Sequence, residues 1–181
     1  MRMTRFRAGD RVQVLALGKA GHVRIPHYIR RKAGEIVGYC GTYLNPAYKR
    51  RLLDDGRAAV QELGIPVTEA SIIVVENTPS LHNLITCTLC SCYPRSILGQ
   101  PPSWYISKAY RARSVREPRQ VLKEFGLDLP MEVQLDVHDS NADMRYLVLP
   151  AAPAGVERFD LTQLEAMISR DHLIGVAREV E

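Results

Sequence analysis

The sequence predicts an α+β chain in two parts: a small N-terminal half-barrel β module over residues 1–45 and a layered α/β body over residues 46–181. Three observations carry this. Apolar runs of strand length alternate with amphipathic stretches of helix length, the pattern of a sheet covered by helices. Charge is divided, because residues 1–51 hold 12 Lys and Arg against only Asp10 and Glu35, for a net of +10, whereas residues 52–181 carry −6. Between the two parts, Asn45 and Pro46 supply an N-cap followed by proline at the first helical position.

The elements follow in order. Val12, Val14 and Ala16 alternate with Gln13, Leu15 and Leu17, and a second extended run covers Glu35 to Tyr39. The basic, Gly- and Pro-marked loop GHVRIPHYIRRKAG separates them. A helix is predicted over 46–63, with Leu52, Leu53, Val60 and Leu63 on its apolar face and Gly64 as its stop. SIIVVE, from Ser71, is a run of β-branched residues suited to a buried strand, and LHNLIT is a second extended piece. The cysteines of CTLCSC then fall in a turn after that strand, and Pro94, Gly99, Pro101 and Pro102 forbid long regular structure beyond it. Helices are predicted at 103–112 and 118–125, the second opened by Pro118 and closed by Gly126. Met131 to His138 and Arg145 to Leu149 alternate as strands. Thr162 and Glu165 have capping-box spacing for a last short helix, and HLIGVA is predicted to return to strand.

Composition narrows the classes. At 46% hydrophobic and 24% charged residues the chain is globular rather than disordered, and no run approaches the roughly 18 apolar residues of a membrane span. The start, MRMTRFRAGDR, shows charge without an apolar stretch behind it, so no signal peptide is visible and a cytoplasmic protein is expected. A disulfide framework is therefore not expected, and Cys-x-x-Cys-x-Cys would leave an odd thiol. Cys40 stands alone and takes no role.

Cys87, Cys90 and Cys92 crowd into six residues. Zinc sites commonly use paired Cys-x-x-Cys units or add histidines at finger spacing. Here one cluster is present, with His82 the nearest fourth donor, which leaves structural zinc possible but incomplete. The spacing suits a claw in which one loop wraps a metal with three sulfurs and, with Ser91 between two of them, with main-chain amides. Amide nitrogen binds only when a strongly polarising ion displaces its proton, which points to trivalent Co or Fe and away from Zn. Glu76 is expected to act as a hydrogen-bonding partner, and His82 as a satisfied structural histidine. Arg111, Arg113, Arg116 and Arg119 in YRARSVREPR could be taken for a phosphate-binding stripe.

The segment VVENTPSLHNLITCTLCSCYPRSILGQPPSWY, followed by YRARSVREPRQVLKEFG, MRYLVLPAAPAG and RDHLIGV, resembles the α subunit of nitrile hydratases. The resemblance covers roughly residues 46–176 and implies that subunit's layered α/β fold and a hydro-lyase that hydrates a nitrile to an amide. In the family the first cysteine stays a thiolate, the second is a sulfinic acid and the third a sulfenic acid. Carried over, the implied metal ligands are Cys87, Cys90, Ser91 and Cys92, with Ser91 and Cys92 giving amide nitrogens and Cys90, Ser91 and Cys92 forming the catalytic set. Thr88 and Tyr93 match the cobalt type, which implies noncorrin Co(III), with Fe(III) second. Trp104, in PPSWY, and Tyr93 would line the substrate pocket.

The N-terminal segment FRAGDRVQVLALGKAGHVRIPHYIRRKAGEIVGYCGTYLNP resembles the half-barrel part of the β subunit of the same family. It keeps Gly21, His22, Arg24, Pro26, Tyr28, Arg30 and Lys32, but has His27 and Arg31 where Arg and Gly are usual. Anionic oxidised sulfurs call for cationic donors, and Arg24 matches one of the β-subunit arginines that hold them. The resemblance implies β-type subunits or self-association as partners and a metal-insertion chaperone, with no nucleic acid and no membrane. Thiocyanate hydrolase, which shares the claw, is the nearest rival activity. A zinc-stabilised basic nucleic-acid-binding module is the alternative from another class. Arg95 and Gln100 stand where the family commonly has Trp and Leu, from which a polar substrate is expected, such as a heteroaromatic nitrile of the toyocamycin kind.

Overall fold

The computed structural model describes residues 11–13, 33–35, 45–159 and 161–177. The chain divides into two compact units, Met1–Cys40 and Gly41–Glu181. In the first, β1 (Arg11–Gln13) pairs antiparallel with β2 (Ala33–Glu35), Arg11 opposite Glu35 and Gln13 opposite Ala33. The remainder of the expected half-barrel, including Arg24 and its loop, lies outside the described residues, as does Cys40.

In the second unit the expected helix at 46–63 is two helices, α1 (Pro46–Asp54) and α2 (Gly56–Glu62). Asn45 caps the first, its side chain accepting from Tyr48 N at 3.0 Å. The break has a local cause. Asp55 is extended, and its carboxylate accepts from Ala58 N at 2.9 Å, so it caps a new helix instead of continuing the old one. Gly56 then passes so close to β3 (Ser71–Glu76) that a Cβ there would lie 2.6 Å from Ile72 O. The two helices bury Tyr48, Leu52, Ala59 and Val60 against Ile72, Val74, Leu147 and Leu149, and Tyr48 Oη donates to Ala59 O at 3.0 Å. Glu76 forms an ion pair with Lys49, which ties β3 to α1.

Four strands make two parallel pairs. β3 pairs with β6 (Met144–Leu149), and β4 (Leu81–Thr86) pairs with β5 (Gln134–Asp139). The strand pairs touch each other, α1 and α2 cover β3, and the helices after the cysteines cover β4 and β5, which gives an α–β–β–α layering. α5 (Lys108–Arg116) lies on β4 and α6 (Pro118–Glu124) on β5, after the short α3 (Arg95–Leu98) and α4 (Ser103–Ile106). The expected helix at 103–112 breaks at Ser107, whose Oγ accepts from Tyr110 N at 3.1 Å and starts α5 afresh. Leu84, Ile85, Tyr105, Tyr110, Leu122, Val148 and Ile174 form the second core.

Two further expectations are corrected. The strand predicted from Met131 begins at Gln134, because the Arg119 guanidinium donates to Leu129 O, Pro130 O and Val133 O and holds the preceding residues in a turn. HLIGVA is not a strand: α8 (Arg170–Ile174) takes its first three residues and a turn the rest. Its apolar run suits either state, and end signals decide. Ser169 and His172 cap each other reciprocally, and Gly175 at φ 85° closes the helix. Thr162 lies inside α7 (Leu161–Met167) rather than ahead of it.

A buried polar network locks α8 to β4. His82 Nε2 donates to Gly175 O at 2.8 Å, so Nδ1 is the acceptor, facing Asn77 Nδ2 at 3.3 Å. Asn77 Oδ1 takes Asn83 N and Nδ2, and His138 Nε2 donates to Asn83 Oδ1 at 2.8 Å. His82 is thus a structural histidine on a strand, with no donor left for a metal.

Candidate metal centre

β4 runs through the middle of the body and ends at Thr86, beside Asp139 at the end of β5. The next residues leave the sheet as an irregular loop. Its first turn is held from three sides. Thr88 N and Oγ1 donate to the Asp139 carboxylate at 2.8 and 2.5 Å. Arg111 Nη1 donates to Cys90 O at 2.8 Å and, more distantly, to Thr88 O at 3.4 Å. Tyr105 Oη donates to Cys92 O at 2.8 Å.

These holds converge the three cysteine sulfurs. Cys87 Sγ lies 3.4 Å from Cys90 Sγ, which lies 2.9 Å from Cys92 Sγ, and all three fall within 4.8 Å of one another. They are free thiols, since a disulfide would need about 2.05 Å. With metal–sulfur bonds of about 2.3 Å, sulfurs at right angles about a metal stand roughly 3.2 Å apart and tetrahedral ones roughly 3.8 Å. The Cys87–Cys90 and Cys90–Cys92 edges are of the length expected for sulfurs that share one metal, and a claw of three sulfurs needs further donors to complete it.

Burial grades along the loop. Cys87 is buried, Cys92 half-buried and Cys90 exposed, and Leu89 at the loop tip is 85% exposed. The electrostatics separate the sulfurs as well. Hydrogen bonding from Cys92, reinforced by Cys87 and by the Cys92 and Ser91 main-chain amides, holds the Cys90 thiol below its ordinary value. Burial pushes Cys92 up, with the Cys90 hydrogen bond and the Cys87 charge adding to it and Arg145 opposing. Cys90 is thus the sulfur of the loop most readily deprotonated, and the Ser91 and Cys92 amides are turned toward it.

A cavity of about 370 Å³ opens over the claw, lined by Thr68, Glu69, Cys90, Ser91, Cys92, Tyr93, Arg95 and Arg145. The loop before β3 supplies Thr68 and Glu69, and it is fixed to α3 because Glu69 Oε1 accepts from Ser96 N at 3.0 Å and Ser96 Oγ meets Thr68 N and Oγ1. Among the described residues six buried side-chain polar atoms have no hydrogen-bond partner. Four of them, Glu69 Oε2, Tyr93 Oη, Arg111 Nε and Arg145 Nε, belong to residues around the claw. Unsatisfied polar groups gathered in this way mark a place where a ligand or further donors belong. The three thiol sulfurs converging on one point are a donor set that fits a soft metal ion.

The predicted site residues divide. Cys87, Cys90, Ser91, Cys92 and Tyr93 come together. Trp104 packs edge-on against Tyr105, Tyr110 and Phe125 and is not among the residues lining the cavity. Arg24 lies outside the described residues. Arg113 pairs with Glu117 and Glu124, and Arg119 holds main-chain carbonyls, so these two are structural and present no phosphate stripe. Sequence reading gave no role to Asp139, Tyr105, Glu69 or Arg145. Tyr105 and Arg145 sit inside motifs singled out for their resemblance, whereas Asp139 reaches the claw through the parallel pairing of β4 with β5 and Glu69 through its contact with Ser96.

The profile described as "Nitrile hydratase, alpha chain" matches residues 30–177. The low-molecular weight cobalt-containing nitrile hydratase subunit alpha of Rhodococcus rhodochrous is 48% identical over 136 residues, 75% of this chain and 66% of that one. Thiocyanate hydrolase subunit gamma of Thiobacillus thioparus is 46% identical over 147 residues, 75% of this chain and 60% of that one. A double histidine mutant of the Fe-type nitrile hydratase from Comamonas testosteroni Ni1 superposes with a TM-score of 0.74 at 46% identity, covering 77% of this chain and 69% of that one. A recombinant thiocyanate hydrolase comprising partially modified cobalt centres gives a TM-score of 0.73 at 44% identity, covering 78% and 70%. The chain thus spans about two thirds or less of the first two curated relatives.

Proposed function

The chain belongs to the nitrile hydratase alpha-chain family, and from that premise we propose that it is the metal-bearing subunit of an enzyme that adds water across C≡N to give an amide. The observation that supports this most is the convergence of the Cys87, Cys90 and Cys92 sulfurs, all within 4.8 Å of one another, on one loop. Cys87, Cys90, Cys92 and the Ser91 and Cys92 amide nitrogens would hold cobalt, in keeping with cobalt-containing relatives from two organisms. The bound trivalent ion supplies Lewis acidity, which polarises a nitrile or lowers the pKa of water.

The chain's own residues do the rest. Asp139, Arg111 and Tyr105 hold the loop by its backbone, so the sulfurs keep their spacing as charge changes at the centre. In this reading Cys90, as sulfinate, shapes the claw, and Cys92, as sulfenate, is the nucleophile or the base for water. Arg145 and Arg95 border the cavity as cations, and Arg145 lies close enough to Cys92 to oppose the rise of its pKa. With Leu89 and Cys90 exposed, water is excluded only when a partner covers the loop. Accordingly the chain is read as working with a β-type subunit or a second copy.

Thiocyanate hydrolysis is the second reading, and a specific feature favours it: two arginines border the cavity, one of them Arg95, a charge suited to an anionic substrate. One preparation tests both readings. It is offered propionitrile, a heteroaromatic nitrile and thiocyanate, and the amides and carbonyl sulfide are measured. Amide formation with preference for the heteroaromatic nitrile is expected. Carbonyl sulfide as the main product would replace hydration with thiocyanate hydrolysis, and no turnover of any of the three by the metal-loaded assembly would refute the enzyme.

A further inference from the structure

Arg111 reaches the claw through its backbone, not through the cavity. Nη1 donates to Cys90 O at 2.8 Å, and Nε is buried without a partner. Its helix is fastened at the same place. Tyr110 Oη donates to Ile85 O at 2.6 Å, and Ser114 Oγ donates to Thr86 Oγ1 at 2.8 Å, so this face of α5 is fixed to the end of β4 where the loop begins. The guanidinium is therefore held in place before any metal arrives.

Which carbonyl it holds is the informative point. Cys90 O belongs to the peptide unit whose nitrogen is Ser91 N. When an amide nitrogen becomes a metal ligand it gives up its proton, and peptide resonance shares the resulting negative charge with the carbonyl oxygen of the same unit. Tyr105, a neutral donor, holds Cys92 O, whose unit ends in the nitrogen of Tyr93 and contributes no ligand. The charged donor thus makes its short bond, 2.8 Å, to a ligating unit and only a longer one, 3.4 Å, to the non-ligating unit of Thr88 O, while the neutral donor sits on a non-ligating unit.

We propose that Arg111 is a positioning residue of the metal centre, compensating the negative charge that builds on Cys90 O when Ser91 N binds the metal. The inference rests on the metal-centre reading above. The amide proton passes to solvent as the nitrogen–metal bond forms, no electron is transferred, and the guanidinium stays protonated throughout.

The test supplies cobalt(II) chloride in air to the metal-free chain, dioxygen being the oxidant that makes the trivalent ion in a step separate from amide binding, and follows cobalt uptake as a function of pH, with metal analysis and the sulfur-to-cobalt absorption band as readouts. Far-UV circular dichroism establishes that each variant is folded. Arg111→Gln keeps an N–H donor without the charge. Its uptake midpoint is expected to move up by about one pH unit, the scale of a charge-assisted hydrogen bond, with affinity at neutral pH about ten- to hundredfold weaker. Arg111→Lys restores the charge and is expected to stay within roughly half a unit of wild type. A clamp acting through shape alone would not separate the two variants in this way. If wild type takes up no cobalt, the metal-centre reading fails and takes this inference with it. If wild type takes it up and folded Arg111→Gln matches its midpoint and band, the role of Arg111 alone is overturned. Should Arg111→Gln not fold, Arg111→Lys decides: a midpoint near wild type supports the inference, and a rise of a full unit overturns it.

Discussion

Gly175→Ala tests the join between the C-terminal helix and the strand that leads into the claw. Gly175 has φ 85°, and a Cβ added there would fall far inside contact distance of Asn83 O, a backbone atom of β4 that cannot swing aside. Left-handed strain in an alanine costs about 1–2 kcal/mol. Relief of the clash requires α8 and β4 to part, which breaks the buried His82 Nε2 bond to Gly175 O, worth about 1–3 kcal/mol when a buried partner is left unsatisfied. The sum is about 2–5 kcal/mol, or roughly 6–15 °C in melting temperature for a unit of this size. Gly64→Ala is the control, since Gly64 also has positive φ (74°) but open space around its missing side chain. It should lose only the strain, about 3–6 °C. Calorimetry on both variants decides, and equal losses would refute the claim that the α8–β4 contact is tight.

Three more outcomes are expected. Asp139→Asn replaces a charged acceptor of two Thr88 donors by a neutral one, so a chelator should strip the metal about tenfold more easily while the melting temperature falls only a few degrees. Leu122→Ala opens a hole in the second core where the side chain is fully buried and should destabilise by about 2–5 kcal/mol in urea titrations, with the cobalt band of the folded fraction unchanged. Burial raises Tyr93 to about 12 and Tyr105 and Tyr110 above the ordinary tyrosine value. Because the folded state holds these protons more tightly, their contribution is fully present below about pH 10 and is lost as pH rises. Melting temperature should therefore fall steeply from pH 10 to 11.5, and Tyr93→Phe should flatten that fall.

The fold was largely legible where local signals agree. The β-branched run of β3, Pro118 at the start of α6 and Asn45 with Pro46 at the start of α1 all specify their elements from a few residues. It was misread where a polar side chain outcompeted the apolar pattern: Asp55 and Ser107 each cap a fresh helix inside an apparently continuous one, and Ser169 with His172 turns an apolar run into α8. The site shows the same division. Cys87, Cys90, Ser91 and Cys92 are neighbours in sequence, and their spacing carries the chemistry. Asp139 and Arg145 lie some 50 residues further on and come to the loop only because β5 and β6 return parallel beside β4 and β3, a pairing no local pattern encodes. Glu69 arrives from the opposite direction through its contact with Ser96.

The central claim is that the Cys87–Cys92 loop is a trivalent-metal claw with oxidised sulfurs. Metal analysis joined to mass spectrometry of the peptide that contains the loop tests it most directly. The expected result is about one cobalt per chain and an excess of about three oxygen atoms on that peptide. Stoichiometric zinc with unmodified thiols would contradict it.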